Sequence, residues 1–158
     1  MKVEYINPFI ESVFELFSTM LGAQAMRGEV GVARGPNCNP REIMGLIGLS
    51  GNVRGTVALS FPTGTALAMV SRLLGMETHV IDETVSDAVA ELVNIVAGSA
   101  KAKMNTSDGP PTDLSLPTVV RGNSYSVDYP SKAMWLEVPF TSDLGPFSLR
   151  VTFEVRNA

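Results

Sequence analysis

Ile43-Met44-Gly45-Leu46-Ile47-Gly48-Leu49, then Ser50-Gly51-Asn52, then Val53-Arg54-Gly55-Thr56-Val57-Ala58-Leu59-Ser60-Phe61 is the stretch on which the fold turns. Two apolar runs around a short Gly/Asn turn predict a β-hairpin. Pro62-Thr63 follows at once and opens a helix with an apolar stripe of Leu67, Ala68, Val70, Leu73 and Leu74, closed by Gly75. On the N-terminal side, Gly35-Pro36-Asn37-Cys38-Asn39-Pro40 is turn chemistry, and residues 27–34 read as a strand. Before that strand, Asn7-Pro8 reads as an N-cap with proline at the first helical position. Phe9, Val13, Leu16, Phe17, Met20 and Leu21 then recur at helical spacing up to Gly22, with Glu11 and Glu15 off the stripe. On the C-terminal side, the loop from Met76 to Asp82 leads into a long helix, roughly Glu83 to Met104. Thr106-Ser107-Asp108-Gly109-Pro110-Pro111 breaks the chain, and strands are predicted at 114–121, 132–140 and 147–155. Strands joined by hairpins, with helices grouped elsewhere, make an α+β fold: three helices and a mainly antiparallel six-stranded sheet, expected as one domain over residues 1–158.

Composition narrows the function classes. Apolar residues make up 45% of the 158, enough for a real core. The net charge of −4, from 16 acidic and 12 basic residues with no basic cluster, argues against nucleic acid or anionic membrane as partners. One cysteine, Cys38, and one histidine, His79, form neither an intrachain disulfide nor a common zinc site. The N-terminus lacks the basic start and apolar run of a signal peptide, and no 18-residue window is uninterruptedly apolar. A cytoplasmic protein is the expectation.

The third helix carries the candidate chemistry. At 100° per residue, Val85, Val89, Leu92, Val93, Val96 and Ala100 fall on one side and form a core stripe. Thr84, Asp87, Glu91, Asn94 and Gly98 fall on the opposite side, with Ile95 at its margin. Glu91 and Asn94 are three residues apart, so their Cβ atoms are expected about 5–6 Å apart. A carboxylate there can pair with a cation, and an amide can both donate to and accept from a water molecule. Gly98 costs roughly 1 kcal/mol against alanine inside a helix, but it lets another backbone come close. A polar outer face is by itself what any surface helix presents; Ile95 and Gly98 make it look like a contact surface.

The wider pattern is more specific. Leu74-Gly75-Met76-Glu77, the run Asp87-Ala88-Val89-Ala90-Glu91-Leu92-Val93-Asn94-Ile95-Val96-Ala97-Gly98-Ser99-Ala100-Lys101, and Leu116-Pro117-Thr118-Val119-Val120-Arg121-Gly122 together resemble the CheX branch of the CheC/CheX/FliY family of chemotaxis phosphatases. The resemblance spans about residues 4–156, and a single Glu-x-x-Asn helix is similar to CheX rather than to CheC, which typically carries two. It implies a CheC-like fold and hydrolysis of the aspartyl phosphate on a CheY-type response-regulator receiver, without a covalent intermediate. By the same resemblance Glu91 docks to a receiver lysine and Asn94 orients the attacking water. Asp87, Ile95 and Gly98 are the candidate partner contacts around them. The resemblance further implies a homodimer, no cofactor or metal on this chain, and Mg²⁺ supplied by the receiver.

Other residues read more plainly. His79 is a surface-loop histidine with no second His or Cys nearby, and no base marks Cys38 as a nucleophile. Trp135 is core or dimer interface, and the methionines Met20, Met69 and Met104 are core filler. Gly45, Gly48, Gly51 and Gly55 are strand and turn glycines, and no phosphate-binding Gly-rich loop with a lysine follows them. The competing functional reading is a non-catalytic receiver-binding module, like the middle domains of flagellar switch proteins.

Overall fold

The computed structural model describes residues 3–33, 37–38, 42–51, 53–104, 111–122, 125–126 and 134–155. The chain enters through a 3₁₀ turn (Val3–Ile6) that runs straight into α1 (Asn7–Leu16), continued by a wide π turn (Phe17–Leu21). Asn7 is therefore already helical, and Ile6 takes the N-cap position with no side-chain cap, which corrects the expectation for Asn7. Pro8 sits in the first turn, where its missing N–H costs nothing. Gly22 ends the segment at φ +58°. There Arg72 donates to the carbonyls of Leu21 (2.9 Å) and Gly22 (3.3 Å), supplying a cation to the helix C-terminus.

The predicted hairpin forms as β4 (Glu42–Ser50) and β5 (Val53–Pro62), paired from Glu42↔Pro62 to Leu49↔Gly55, with Gly51 at φ +99° in the turn. β9 (Trp135–Ser142) and β10 (Phe147–Val155) form a second hairpin, and β10 pairs β5. Every ladder in the sheet is antiparallel. The two outermost strands are each broken into two pieces. β1 (Ala25–Arg27) and β2 (Gly31–Ala33) both pair β9, and β6 (Asp113–Leu114) and β7 (Thr118–Gly122) both pair β4. The sheet thus has the expected width of six strands but eight pieces, in the order β1-β9-β10-β5-β4-β6.

Register gives the reason for both breaks. Arg27 faces Phe140 and Gly31 faces Glu137, so three residues oppose two, and one is bulged out. Leu46 faces Thr118 and Leu49 faces Leu114, which repeats the same mismatch across Ser115, Leu116 and Pro117. Both bulges involve a proline: Pro139 takes the Gly28 N–H at 2.7 Å, and Pro117 lies inside the second bulge. A separate short ladder joins β3 (Asn37–Cys38) to β8 (Tyr125–Ser126).

α2 (Thr63–Leu74), ended by Gly75 at φ +69°, and α3 (Glu83–Met104) complete the helix layer. All three helices share one core with a single face of the sheet, including Ile43, Ile47, Val57, Leu59, Leu149 and Val151. α1 lies over β9 and β10 through Phe9 against Phe153 (5.4 Å between centroids), Phe14 against Phe140 (5.9 Å) and Phe17 against Phe147 (5.3 Å). The opposite sheet face buries Met44, Leu46 and Ala58 with Val120 packed on them, and Trp135 is 1% exposed, so it is an interior residue. No described helix is long and apolar enough to cross a membrane.

Candidate functional site

α3 is fixed along its length. At its start, Asp82 acts as N-cap: Oδ1 accepts from the Val85 N–H at 3.0 Å, and its carbonyl takes the Ser86 N–H at 3.0 Å. The preceding loop is tied to β7 by Arg121, which donates to the Ile81 carbonyl at 2.9 Å. Val85, Ala88, Val89, Leu92, Val93, Val96, Ala97 and Ala100 are buried, which is the predicted stripe with two alanines added. The helix seats on β4 at Gly45. A Cβ there would stand 3.2 Å from Val93 Cγ1 and 3.4 Å from Val89 Cγ1, so glycine lets helix and strand approach closely. Near its C-terminus, Lys103 and Ser99 reach Glu15 of α1, with Lys103 Nζ 2.8 Å from Glu15 Oε1 and Ser99 Oγ 3.0 Å from Oε2.

The outer face of α3 then follows the 100° projection. Thr84, Asp87 and Glu91 are exposed, and Asn94 and Gly98 are half-buried. Ile95 is partly buried and packs on the core, so it is shared between interior and surface. No described residue hydrogen-bonds or ion-pairs with the side chain of Glu91 or Asn94. The two polar groups stand one turn apart on a rigid support, with their bonding capacity unspent within the described chain. Two surface depressions, of about 380 Å³ beside Arg72 and Met76 and about 340 Å³ beside Phe14 and Gln24, include neither residue. The pair lies on the outer face of α3, away from both depressions.

The remaining candidates lie elsewhere. His79 is exposed and pairs with Glu77 at 3.4 Å, as suits a surface-loop histidine. The backbone of Cys38 lies in β3. No group of three or more His, Cys, Asp or Glu side chains able to hold a metal ion occurs among the described residues. Sequence reasoning missed Asp82 as a cap and Gly45 as the helix seat. The Asp82–Val85 spacing was a readable signal; the Gly45 contact, made across chain-distant elements, was not.

A family model described as chemotaxis phosphatase CheX matches residues 43–141. The chain belongs to the CheX family. The "CheY-P phosphatase CheX" of Thermotoga maritima is 31% identical over 128 residues, covering 80% of this chain and 81% of that protein. The crystal structure of a CheX from Desulfovibrio desulfuricans is 25% identical, with a TM-score of 0.84, covering 96% of this chain and all of that one. A chain of the CheX–CheY–BeF3–Mg²⁺ complex from Borrelia burgdorferi, 24% identical, has the same fold at a TM-score of 0.77, over 99% of this chain and 100% of that one. As a CheX family member this chain is a phosphatase, and its three helices against an antiparallel sheet are those of the CheC-like fold.

Proposed function

We propose that this phosphatase hydrolyses the aspartyl phosphate of a CheY-type receiver domain, with Asn94 positioning the attacking water and Glu91 docking to a receiver lysine. The observation that carries the reading is the pairing of an exposed carboxylate and a half-buried amide, one turn apart on a helix anchored at both ends, neither engaged by another described residue. The name of the Thermotoga relative and the composition of the Borrelia complex supply the substrate class.

The chemistry suits the residues. An acyl phosphate is already activated, and phosphoryl transfer asks mainly for positioning and charge stabilisation. The Asn94 carbonyl accepts from water while its NH₂ donates to a phosphoryl oxygen. The water oxygen attacks phosphorus in line, the bond from phosphorus to the aspartyl oxygen breaks, and the products are inorganic phosphate and a free carboxylate. An amide is no base, so the acceleration is modest, on the order of 10²-fold, as one positioned group supplies. Mg²⁺ belongs to the receiver and is not placed on this chain.

The test is phosphate loss from receivers phosphorylated with acetyl phosphate, with and without the protein. Asn94→Ala is expected to return the rate to that of the receiver alone with the fold intact. Glu91→Ala is expected to raise KM with little change in kcat. An Asn94→Ala protein as active as wild type would remove Asn94 from the mechanism.

A further inference from the structure

Beside the start of α3, the outer strand carries a charge that the fold leaves uncommitted. Val119 packs on the core beneath the helices, so Arg121, two residues further along β7, lies on the same face of the sheet. Its Nη1 donates to the Ile81 carbonyl at 2.9 Å, one residue before the Asp82 cap of α3. That bond occupies one of five guanidinium N–H groups and neutralises nothing. Arg121 is exposed, and it makes no ion pair with a described residue. Other cations are spent within the chain: Lys103 on Glu15, Lys101 towards Asp113, Arg150 on Glu137.

Arg121 stands on the flank of α3 to which Asn94 leans. Lys101 follows Asn94 by seven residues, about two turns, so both project to one flank of the helix. Lys101 Nζ lies 4.0 Å from Asp113, so this flank faces the outer strand pieces β6 and β7. The other flank meets α1 through Ser99 and Lys103. Register sets the spacing along the helix. Gly45 lies under Val89 and Val93 and pairs Val119, while Arg121 pairs Ile43. Arg121 is therefore about 7 Å towards the helix start from the level of Glu91, two strand residues away.

We infer that Arg121 is a specificity-determining residue of this phosphatase, selecting receivers that carry an acidic side chain beside the phosphorylated aspartate. In the function proposed above, on which this rests, the receiver holds Mg²⁺ at its aspartyl phosphate, and such a site is built from carboxylates and phosphate oxygens. The exposed Asp87 and Glu91 repel a surface of that sign, apart from the lysine that Glu91 engages. Arg121 supplies the opposite sign on the flank of Asn94. Charges at an exposed rim govern encounter and the choice of partner more than the chemical step. Arg121 touches no reacting atom; it sorts substrates.

The experiment compares wild type with Arg121→Lys, Arg121→Gln and Arg121→Glu on receivers phosphorylated with acetyl phosphate, at about 20 mM and about 500 mM ionic strength. Lysine keeps the charge; glutamine keeps a donor for the Ile81 carbonyl and removes the charge. At low salt kcat/KM is expected to fall about three- to fivefold with glutamine, the size of one exposed ion pair, and further with glutamate. Lysine is expected to stay near wild type. The loss should lie in KM, with kcat kept, and should close at high salt, where separated charges are screened. Arg121→Glu should be restored by lysine in place of one acidic residue of the receiver outside its Mg²⁺ ligands; restoration by none would overturn the selection. A merely structural tie to Ile81 would make lysine and glutamine fall together, with Tm, at both salt concentrations, and that result overturns the role of Arg121. So does equal activity of all four proteins at low salt. Absence of any wild-type acceleration would instead overturn the receiver reading, so the two failures are distinguishable.

Discussion

Glu15 shows how a single side chain steadies the working helix from outside it. Its carboxylate accepts from Lys103 Nζ and Ser99 Oγ, both at 3.0 Å, which ties α1 to the last turns of α3. The hydrogen bond from Lys103, and then that from Ser99, hold the Glu15 carboxyl below its ordinary value against the opposing effect of burial. A carboxyl depressed in the folded state stabilises the fold above its unfolded value, and that contribution is lost as pH falls through the folded value. The Tm advantage of wild type over Glu15→Gln should therefore hold from neutral pH down to about 4.3, the usual glutamate value, and shrink towards zero below it. Glu15 is exposed and Lys103 only half-buried, so the advantage is small. A gap unchanged down to pH 3, by calorimetry, would show that the ion pair is not its source. The sequence placed Glu15 correctly off the apolar stripe of the first helix. It said nothing of the tie to α3, because Ser99 and Lys103 lie 84 and 88 residues away and no local period connects them.

At the scale of elements, the placement of α3 depends on the missing side chain at Gly45. Adding one methyl puts carbon 3.2 Å from Val93 Cγ1 and 3.3 Å from Val93 Cβ, tighter than most contacts in packed interiors, and Val93 is itself fully buried, with little room to give way. Gly45→Ala is expected to cost about 1–3 kcal/mol as an overpacked core, read as a lower urea midpoint at unchanged slope. Adding Val93→Ala to Gly45→Ala should recover part of the loss, because the second change vacates the space the first one fills. Additive losses would show that the contact does not limit the seat. The bounds of α3 were legible beforehand because a 3.6-residue period persists from Val85 to Ala100. The central hairpin was legible because its turn chemistry is explicit. The breaks in the outer strands were not, since a bulge leaves the apolar alternation on either side intact and reveals itself only in register. Their sole marks in the sequence were Pro117 and Pro139.

At the scale of the whole molecule, the candidate site is a polar pair on the outer face of one helix. The polar pair sits on the outer face of α3, and no described group of three or more acidic, histidine or cysteine side chains gathers to hold a cation. The core that supports α3 is apolar throughout, with Val85, Val89, Leu92, Val93 and Val96 all fully buried, so the fold is held by burial and helix–sheet packing. In the function proposed above, Mg²⁺ for charge stabilisation comes with the phosphorylated partner. Stability and activity should therefore separate on chelation. Excess EDTA is expected to leave the Tm of the isolated chain unchanged, because a ligand stabilises only a protein that binds it. The same EDTA is expected to abolish dephosphorylation in a mixture with a phosphorylated receiver, and added Mg²⁺ to restore it. A fall in Tm of the chain alone on chelation would place a structural metal within it and refute completion of the site by the partner.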